Sequence, residues 1–255
     1  MNNTAKKSLG QHFLTDKNMI AKIIGQISPR ETDNIVEIGP GKGALTRSLL
    51  DSGCRLTSLE LDTRFACEWK EKEKDFPHFR CIEGNVLLLD WTPYLPCDKL
   101  VGNIPYNISR PLLYKIFSYR RDIDLAVLMV QKEFAEKIIA RLGDPSYGVV
   151  SVLSQLFCKT AYHFNVPPEV FSPPPHVMSA CITLAFRNLD IDDVLLLNIV
   201  HSAFQQRRKT LQNSLHMYYS PELITDFPWK ERADTISPEE YLRLLRILSA
   251  EHRMI

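Results

Sequence analysis

The sequence predicts an α/β protein with a doubly wound, mostly parallel sheet, an antiparallel edge strand and a small C-terminal all-α domain. Three observations lead to this prediction. Short β-rich runs alternate with helical stretches through the first two-thirds of the chain. A glycine-rich loop directly follows the first of these runs. Beyond residue 187, the patterns are helical.

The alternating part of the chain contains five predicted strands with helices between them. The strands are Ile35–Ile38, Leu56–Leu61, Phe79–Ile82, Lys99–Gly102 and Leu125–Val130. The helices are predicted near 43–52, 63–74, 111–119 and 131–142. Pro111 suits a first helical turn, because its missing N–H loses no partner there. This order of elements predicts parallel βαβ units.

A late strand and two helices complete the prediction. The strand, Ala180–Phe186, follows a run of prolines at 173–175 and would form the antiparallel edge. A helical apolar run, Val194–Phe204, begins after acidic residues that complement the helix dipole. Ser237 to Glu240 form a capping box, and leucines follow at helical spacing. We therefore divide the chain into domains 1–187 and 188–255.

Composition limits the classes of protein that this chain can represent. Its 255 residues are 45% hydrophobic and 24% charged, which excludes disorder, collagen and coiled coil for the whole chain. The formal charge of +1 excludes a protein that binds polyanions by bulk charge. A nucleic-acid partner would therefore require a local patch of cations.

The six cysteines and the apolar runs point to an intracellular protein without a zinc site. No two cysteines are spaced as CxxC, and no histidine lies at metal-ligand spacing from any of them. We therefore expect reduced, mostly buried thiols and no bound metal. No apolar run is long enough for a signal peptide or a membrane span, so we expect a cytoplasmic protein with no membrane partner.

The loop Gly39–Ala44 indicates a nucleotide-like ligand. Glycines allow positive φ and a close approach of the ligand, and the following helix offers free N–H groups. Glu60 ends the second strand 21 residues after Gly39, where a carboxylate can accept both hydrogen bonds from a ribose diol. This layout fits a dinucleotide. It fits an adenosyl cofactor such as S-adenosylmethionine equally well.

A second loop, Gly102–Tyr106, follows the fourth strand and suggests chemistry on an adenine. The exocyclic amine of adenine is a poor nucleophile because its lone pair is conjugated into the ring. The side-chain oxygen of Asn103 and a nearby carbonyl, spaced by Pro105, can accept the amine protons and so direct the lone pair at a methyl carbon. Tyr106 offers a face on which the base can stack.

Five motifs in order resemble the KsgA/RsmA family, the small-subunit rRNA adenine N6,N6-dimethyltransferases. They are Ser8–Leu14, Glu37–Thr46, Asn103–Ser109, Phe171–Val177 and Phe204–Leu215. The resemblance implies a class I methyltransferase with a Rossmann-like sheet, S-adenosylmethionine as donor and no metal. The substrate would be two adjacent adenosines in the 3′-terminal hairpin of small-subunit (16S) rRNA, each methylated twice at N6. The enzyme would act as a monomer on an immature small subunit.

The resemblance also implies which residues perform these roles. The cofactor would be bound by Gln11, His12, Leu14, Glu37, Gly39, Gly41, Glu60, Leu61, Asn85, Val86 and Asn103. The catalytic site would comprise Asn103, Pro105, Tyr106 and Phe171, with Tyr106 and Phe171 sandwiching the extruded base. Residues 1–187 would form the catalytic domain, and 188–255 would recognise the RNA and the ribosome.

Two positions depart from the family pattern. His12 replaces the usual Asn, and Asn85 stands where an Asp normally follows the glycine. An Asp would accept the N6 proton of the cofactor's adenine through a charged oxygen, whereas Asn85 offers only an amide oxygen. We therefore expect a slightly lower cofactor affinity and retained activity.

The densest basic run, Arg207-Arg208-Lys209, is predicted to bind RNA, and Arg110 would extend this surface from the catalytic face. These cations would also suit a helix C-terminus, where they complement the dipole. Three other functions stay open at this point. They are a large-subunit rRNA methyltransferase of the antibiotic-resistance type, an assembly factor that acts mainly by binding, and an NAD-dependent dehydrogenase.

Overall fold

The computed structural model describes residues 5–6, 9–216 and 227–252, so Ser8 of the N-terminal motif lies outside them. Its strands, numbered in chain order, are β1 Phe13–Leu14, β2 Asn34–Ile38, β3 Arg55–Glu60, β4 Phe79–Glu83, β5 Cys97–Asn103, β6 Ile123–Gln131, β7 Cys158–Val166, β8 Phe171–Ser172 and β9 Ser179–Phe186. The main sheet has the order β4-β3-β2-β5-β6-β9-β7, and β1 pairs with β8 in a separate two-stranded sheet.

The main sheet confirms the predicted α/β class. Strands β4, β3, β2, β5 and β6 are parallel neighbours, and β9 pairs antiparallel with β6. Each of the six predicted strands is present, extended or shifted by a few residues. Parallel strands are covered on both faces, which explains why β2 and β3 are almost wholly buried.

Strand β7 was not predicted, and it displaces the expected edge. It lies outside β9, so the antiparallel strand β9 is the sixth strand of the sheet rather than the outermost. The β7 sequence interleaves polar Lys159, His163 and Asn165 with apolar residues, and all three polar side chains are exposed. An edge strand needs no continuous apolar run, so it left no clear signal in the sequence.

The described residues contain the predicted helices, with ends that differ by up to three residues, and three helices that were not predicted. In chain order, the helices are α1 Lys17–Ile27, α2 Thr46–Asp51, α3 Thr63–Lys72, α4 Ser109–Ser118, α5 Lys132–Ile139, α6 Val149–Phe157, α7 Asp193–Gln205, α8 Leu211–Ser214 and α9 Pro238–His252. Asp16 caps α1 by accepting a bond from Met19 N at 2.7 Å. The predicted capping box of α9 is confirmed, since Ser237 N donates to Glu240 Oε2 at 2.9 Å and Glu240 N donates to Ser237 Oγ at 3.2 Å.

The chain divides into two compact units. The first comprises Met1–Ala135 and Ala161–Phe186, and the second comprises Glu136–Thr160 and Arg187–Ile255. The second unit thus includes 136–160, which the sequence assigned to the catalytic domain. Its α6 packs against α7 and α9, and Tyr147 donates its hydroxyl hydrogen to Ile236 O at 2.9 Å. Contacts over such a sequence separation leave no local signal, and the functional division at residue 187 stays a prediction.

The order of the parallel strands brings the predicted motifs to one edge of the sheet. Gly39 follows β2, Glu60 ends β3, Gly84 follows β4 and Asn103 ends β5. These four strands are neighbours and run in the same direction, so their carboxyl ends lie side by side. In open α/β sheets, ligands bind at this edge.

Candidate active site

A cleft of about 330 Å³ opens at the carboxyl ends of β2, β3, β4 and β5. The N-terminal segment forms one wall, and the loops after the four strands form the rest. The lining residues belong to 9–14, 38–42, 44, 59–61, 84–86 and 103–108. Most positions that the sequence assigned to a cofactor site are therefore brought together.

The glycine loop has the backbone conformation that its sequence predicted. Gly41 and Gly43 have φ values of 48° and 81°, a region that L side chains rarely adopt. A Cβ on Gly43 would lie 2.3 Å from Trp69 Cζ2, so no larger residue fits there. Trp69 also donates from Nε1 to Gly41 O at 2.8 Å. The α3 tryptophan therefore holds the loop from behind.

Glu60 is held at the cleft with acceptor capacity to spare. Its side chain is 5% exposed. Its Oε2 accepts from Gly41 N at 2.9 Å, and its Oε1 accepts from Asp62 N at 2.8 Å. Burial raises the pKa of Glu60, and the two N–H donors oppose that shift. A carboxylate has about four acceptor sites, so this one can still receive the two hydroxyls of a ribose.

Glu37 lies beneath the glycine loop, outside the cleft lining. It is 2% exposed, and it accepts from Thr46 Oγ1 at 3.0 Å and from Ser58 Oγ at 2.7 Å. Burial raises its pKa to about 7. The family resemblance implies a contact between Glu37 and the cofactor. Its position instead lets it support the loop by linking β2 to β3 and to the first turn of α2.

The N-terminal segment is bonded to the end of β3 through Asp62. Gln11 Nε2 donates to Asp62 Oδ2 at 3.0 Å, and Lys6 Nζ lies 3.2 Å from Asp62 Oδ1. Arg64 Nη2 lies 2.6 Å from the same carboxylate and, with the other donors, holds its pKa well below the usual range. Sequence reasoning missed Asp62 and also Lys42, which lines the cleft with its Nζ 4.8 Å from the ring centroid of Phe13. Asp62 is recognisable as a helix-capping Asp two residues beyond the end of β3.

Asn103, the last residue of β5, has an oriented side chain. Its Nδ2 donates to His12 O at 2.9 Å. This bond engages the nitrogen of the side-chain amide. The acceptor atom of the amide is its oxygen, Oδ1. Pro105 and Tyr106 follow it along the same wall of the cleft. The predicted acceptor and the predicted stacking ring thus line the same cleft.

Tyr106 is anchored at its hydroxyl and stacked on one face. The hydroxyl forms a 2.6 Å hydrogen bond with Ser179 Oγ, and burial raises its pKa. The His12 ring stacks against Tyr106, with centroids 5.9 Å apart and planes 26° apart. His12 Nδ1 also lies 2.8 Å from Pro173 O. The histidine that replaces the family's Asn therefore contacts the tyrosine directly.

Phe171 lies elsewhere. It is 4% exposed, it pairs with Leu14 between β8 and β1, and its side chain belongs to the core rather than to the cleft lining. The predicted sandwich with Tyr106 is therefore not assembled in this structure. Motif order along the chain indicates membership of a site but does not specify which way a side chain points.

Three further cofactor positions line the far end of the cleft. Leu61 is 49% exposed there, and Asn85 and Val86 follow β4. Asn85 Oδ1 accepts from Leu87 N at 3.0 Å. The oxygen that we expected to meet the adenine amine thus already bonds within its own turn.

The predicted RNA-binding cations differ in their surroundings. In the first unit, the Arg110 guanidinium lies 5.9 Å from the ring centroid of Tyr114. In the second unit, Arg207 Nη2 donates to Tyr147 O at 2.6 Å and its guanidinium lies 5.8 Å from the Phe204 ring. The side chains of Arg207, Arg208 and Lys209 are all exposed. Arg207 therefore has a structural role of its own.

Two kinds of feature are absent from the part of the chain that the structure describes. No three His, Cys, Asp or Glu side chains there are grouped so that they could hold a metal ion. No helix there is long and apolar enough to cross a membrane. The six cysteines are free thiols, and all but Cys67 are buried.

Comparison with known proteins identifies the family. A ribosomal RNA adenine dimethylase family model matches residues 2–250. Ribosomal RNA small subunit methyltransferase A of Chlorobium phaeobacteroides (strain BS1) is 39% identical over 247 residues, which cover 95% of this chain and 93% of that protein.

Two solved structures are similar over nearly the whole length. A dimethyladenosine transferase from Plasmodium falciparum has a TM-score of 0.84 at 26% identity, covering 94% of this chain and 98% of that one. The 23S rRNA methyltransferase ErmE has a TM-score of 0.70 at 26% identity, covering 93% and 99%. The resemblance inferred from the motifs and the predicted fold class are thus confirmed. The chain belongs to the ribosomal RNA adenine dimethylase family.

Proposed function

We propose that this enzyme transfers methyl groups from S-adenosylmethionine to the N6 atoms of two adjacent adenosines in the 3′-terminal hairpin of small-subunit rRNA. Each adenosine would become N6,N6-dimethyladenosine during maturation of the subunit. The observation that carries the proposal is the side chain of Asn103, oriented by His12 O at the end of β5 and followed by Tyr106 in the same cleft.

The residues of the cleft suit the proposed cofactor. Glu60 would accept from the ribose hydroxyls, and the glycine loop at Gly39 and Gly41 would hold the methionine part. Leu61 and Val86 would flank the adenine. Gln11, His12 and Leu14 would cover the cofactor from the N-terminal side. When bound, S-adenosylmethionine supplies an electrophilic methyl group.

The chemistry of this chain's own residues is to make the adenine amine a better nucleophile. The amine lone pair is conjugated into the ring and must be freed from it. Asn103 Oδ1 would accept one N–H of the amine, and a carbonyl spaced by Pro105 would accept the other. Acceptors positioned in advance favour the pyramidal nitrogen without the cost of reorganising at the moment of reaction.

Tyr106 would stack on the extruded target base. A base removed from its neighbours loses stacking energy, and an aromatic face offsets about 1–3 kcal/mol of that loss. Its hydroxyl bond to Ser179 fixes the plane of the ring before the substrate arrives. Phe171 would join the sandwich only if the segment around β8 changed its conformation.

The proposed macromolecular substrate is an immature small ribosomal subunit in the cytoplasm, which the enzyme would bind as a monomer. Arg110 would contact the RNA from the catalytic domain, and Arg208 and Lys209 would do so from the helical domain, with Arg207 supporting them. This arrangement agrees with the formal charge of +1, since a few placed cations and stacking replace a highly basic surface.

The similarity to ErmE keeps methylation of large-subunit rRNA as the specific alternative to be tested. A role as an assembly factor without turnover would leave the RNA unmodified. Immature small subunits and large subunits can therefore be incubated with labelled S-adenosylmethionine and the enzyme, and the label mapped at nucleotide resolution.

We expect N6,N6-dimethyladenosine at two adjacent positions of the small-subunit 3′ hairpin and none in the large subunit. Asn103→Ala should lower turnover by about 100-fold or more while changing cofactor Kd by less than about threefold. Asn18→Ala, on the exposed side of α1, is the control. Label in the large subunit, or equal losses of turnover and cofactor affinity in Asn103→Ala, would contradict the proposal.

A further inference from the structure

The turn after β4 is closed by a lysine from a different element. The carbonyl oxygen of Asn85 accepts from Leu88 N at 2.8 Å and from Leu89 N at 2.9 Å, and Asn85 Oδ1 accepts from Leu87 N at 3.0 Å. Lys115, on α4, donates from Nζ to Leu87 O at 3.0 Å and also to Leu89 O. Carbonyl groups at the end of a helical turn have no hydrogen-bond donor within that turn. Here the ammonium group of Lys115 is the donor.

The ammonium group of Lys115 also lies over the ring of Trp91. Its Nζ is 5.4 Å from the ring centroid of Trp91, which is 1% exposed. Trp91 Nε1 donates to Val86 O at 3.0 Å, and Tyr119, also on the α4 side, stacks on Trp91 with centroids 5.4 Å apart. Partial burial lowers the pKa of Lys115, while Asp90 opposes that shift. The Lys115 side chain therefore packs on Trp91 and bonds to the turn instead of extending into water.

This contact reaches both sides of the cleft. A Cβ on Gly84 would lie 2.8 Å from Leu89 Cδ2, so the residue whose carbonyl Lys115 holds also packs against the residue just before the turn. Gly84, Asn85 and Val86 line the cleft. At its other end, α4 begins directly after the loop that contains Tyr106, and Ser109 Oγ donates to Pro105 O at 3.3 Å. Helix α4 thus bonds to the turn after β4 and to the catalytic loop.

We propose that Lys115 is a positioning residue for the cofactor. It fixes the turn Asn85–Leu89 against α4 and so determines where the adenine end of S-adenosylmethionine is held relative to Asn103. The inference rests on the proposed function, which assigns this turn to the adenine. Hydrogen bonds from a charged donor are stronger than neutral ones. Loss of the two Lys115 bonds should therefore loosen the turn. The groups around the target amine should stay in place.

The test is Lys115→Met, which keeps the aliphatic stem and removes the donors. We expect the Kd for S-adenosylmethionine, measured by calorimetry, to rise at least fivefold, with turnover at saturating cofactor within twofold of wild type. Without cofactor, amide hydrogens of residues 87–89 should exchange faster. Lys115→Arg, which retains a charged donor, should recover at least half of the lost affinity. Lys22→Met is the matched control, because Lys22 is exposed on α1 and its Nζ likewise lies 4.8 Å from an aromatic ring, that of Phe164, outside the cleft lining.

Unchanged cofactor affinity in Lys115→Met would overturn this role, and so would a loss of turnover at unchanged affinity. If that variant fails to fold, Lys115→Gln, which keeps a neutral donor, is measured in the same way and judged by the same criteria. Failure of the wild-type enzyme to bind S-adenosylmethionine would contradict the proposed function instead. The two hypotheses are therefore tested separately.

Discussion

At the scale of single residues, the two buried glutamates at the glycine loop, Glu37 and Glu60, have different roles in the site. Glu60 faces the cleft and receives N–H donors from Gly41 and Asp62. Glu37 is enclosed and receives hydroxyl donors from Thr46 and Ser58. Their negative charges also repel, and this repulsion adds to the effect of burial on the pKa of Glu37. Keeping Glu37 partly protonated near neutral pH reduces that repulsion.

Replacing Glu37 with Gln should flatten the pH dependence of stability. The folded pKa of Glu37 is raised from 4.5 to about 7, so the folded state binds more protons than the unfolded state between these values. Stability from this group is therefore full below pH 4.5 and is lost as the pH rises through 7, by roughly 3 kcal/mol in total. Urea unfolding of wild type and Glu37→Gln at pH 5 and pH 8 measures the difference. Glu71→Gln, at an exposed site, should keep the wild-type slope, and an equal slope in Glu37→Gln would refute the assignment.

At the scale of elements, the parallel strands and their loops could be predicted, whereas the parts that depend on distant contacts could not. The strand at Ile35–Ile38 was found within one residue because burial on both faces produces a continuous apolar run. The helix expected at 43–52 begins only at Thr46, because the positive φ of Gly43 is incompatible with helix. Strand β7 and the short β1–β8 pair carry little local pattern. The orientation of Phe171 depends on that pair, so it could not be inferred.

A methyl group at residue 43 should destabilise the protein, because Trp69 of helix α3 packs against the glycine loop at that position. In Gly43→Ala, the new Cβ would lie 2.3 Å from Trp69 Cζ2 at a φ of 81°. We expect a loss of roughly 2–4 kcal/mol in the free energy of unfolding, since overpacking and backbone strain combine. In Gly143→Ala, φ is 93° with no atom within 4 Å of the new Cβ, so only strain of about 1–2 kcal/mol applies. Equal losses in the two variants would show that Trp69 does not pack against the loop.

At the scale of the whole molecule, near-neutral charge limits how the RNA can be held. Residues 187–255 contain nine basic and ten acidic groups, so the helical part has no general attraction for a polyanion. The density of basic residues predicted an RNA role for the whole run Arg207–Lys209. In the structure, Arg207 contacts Tyr147 and Phe204. The sequence could not reveal the first contact because Tyr147 lies 60 residues earlier. All three side chains are exposed, but Arg207 also has a structural contact within the second unit.

Replacing Arg208 and Lys209 together with alanine should weaken binding to the small-subunit 3′ hairpin and reduce its salt dependence. Each phosphate contact contributes about 0.7–0.9 to the slope of log K against log salt, so loss of two contacts lowers the slope by about 1.5. Filter binding at several salt concentrations measures this change, with thermal unfolding alongside. Lys72→Ala with Lys74→Ala removes the same charge from α3 and the residues after it, and should leave the slope intact. Arg207→Ala should lower the melting temperature, because the Tyr147 carbonyl loses its charged donor. An unchanged slope in the Arg208 and Lys209 variant would place the RNA on another surface.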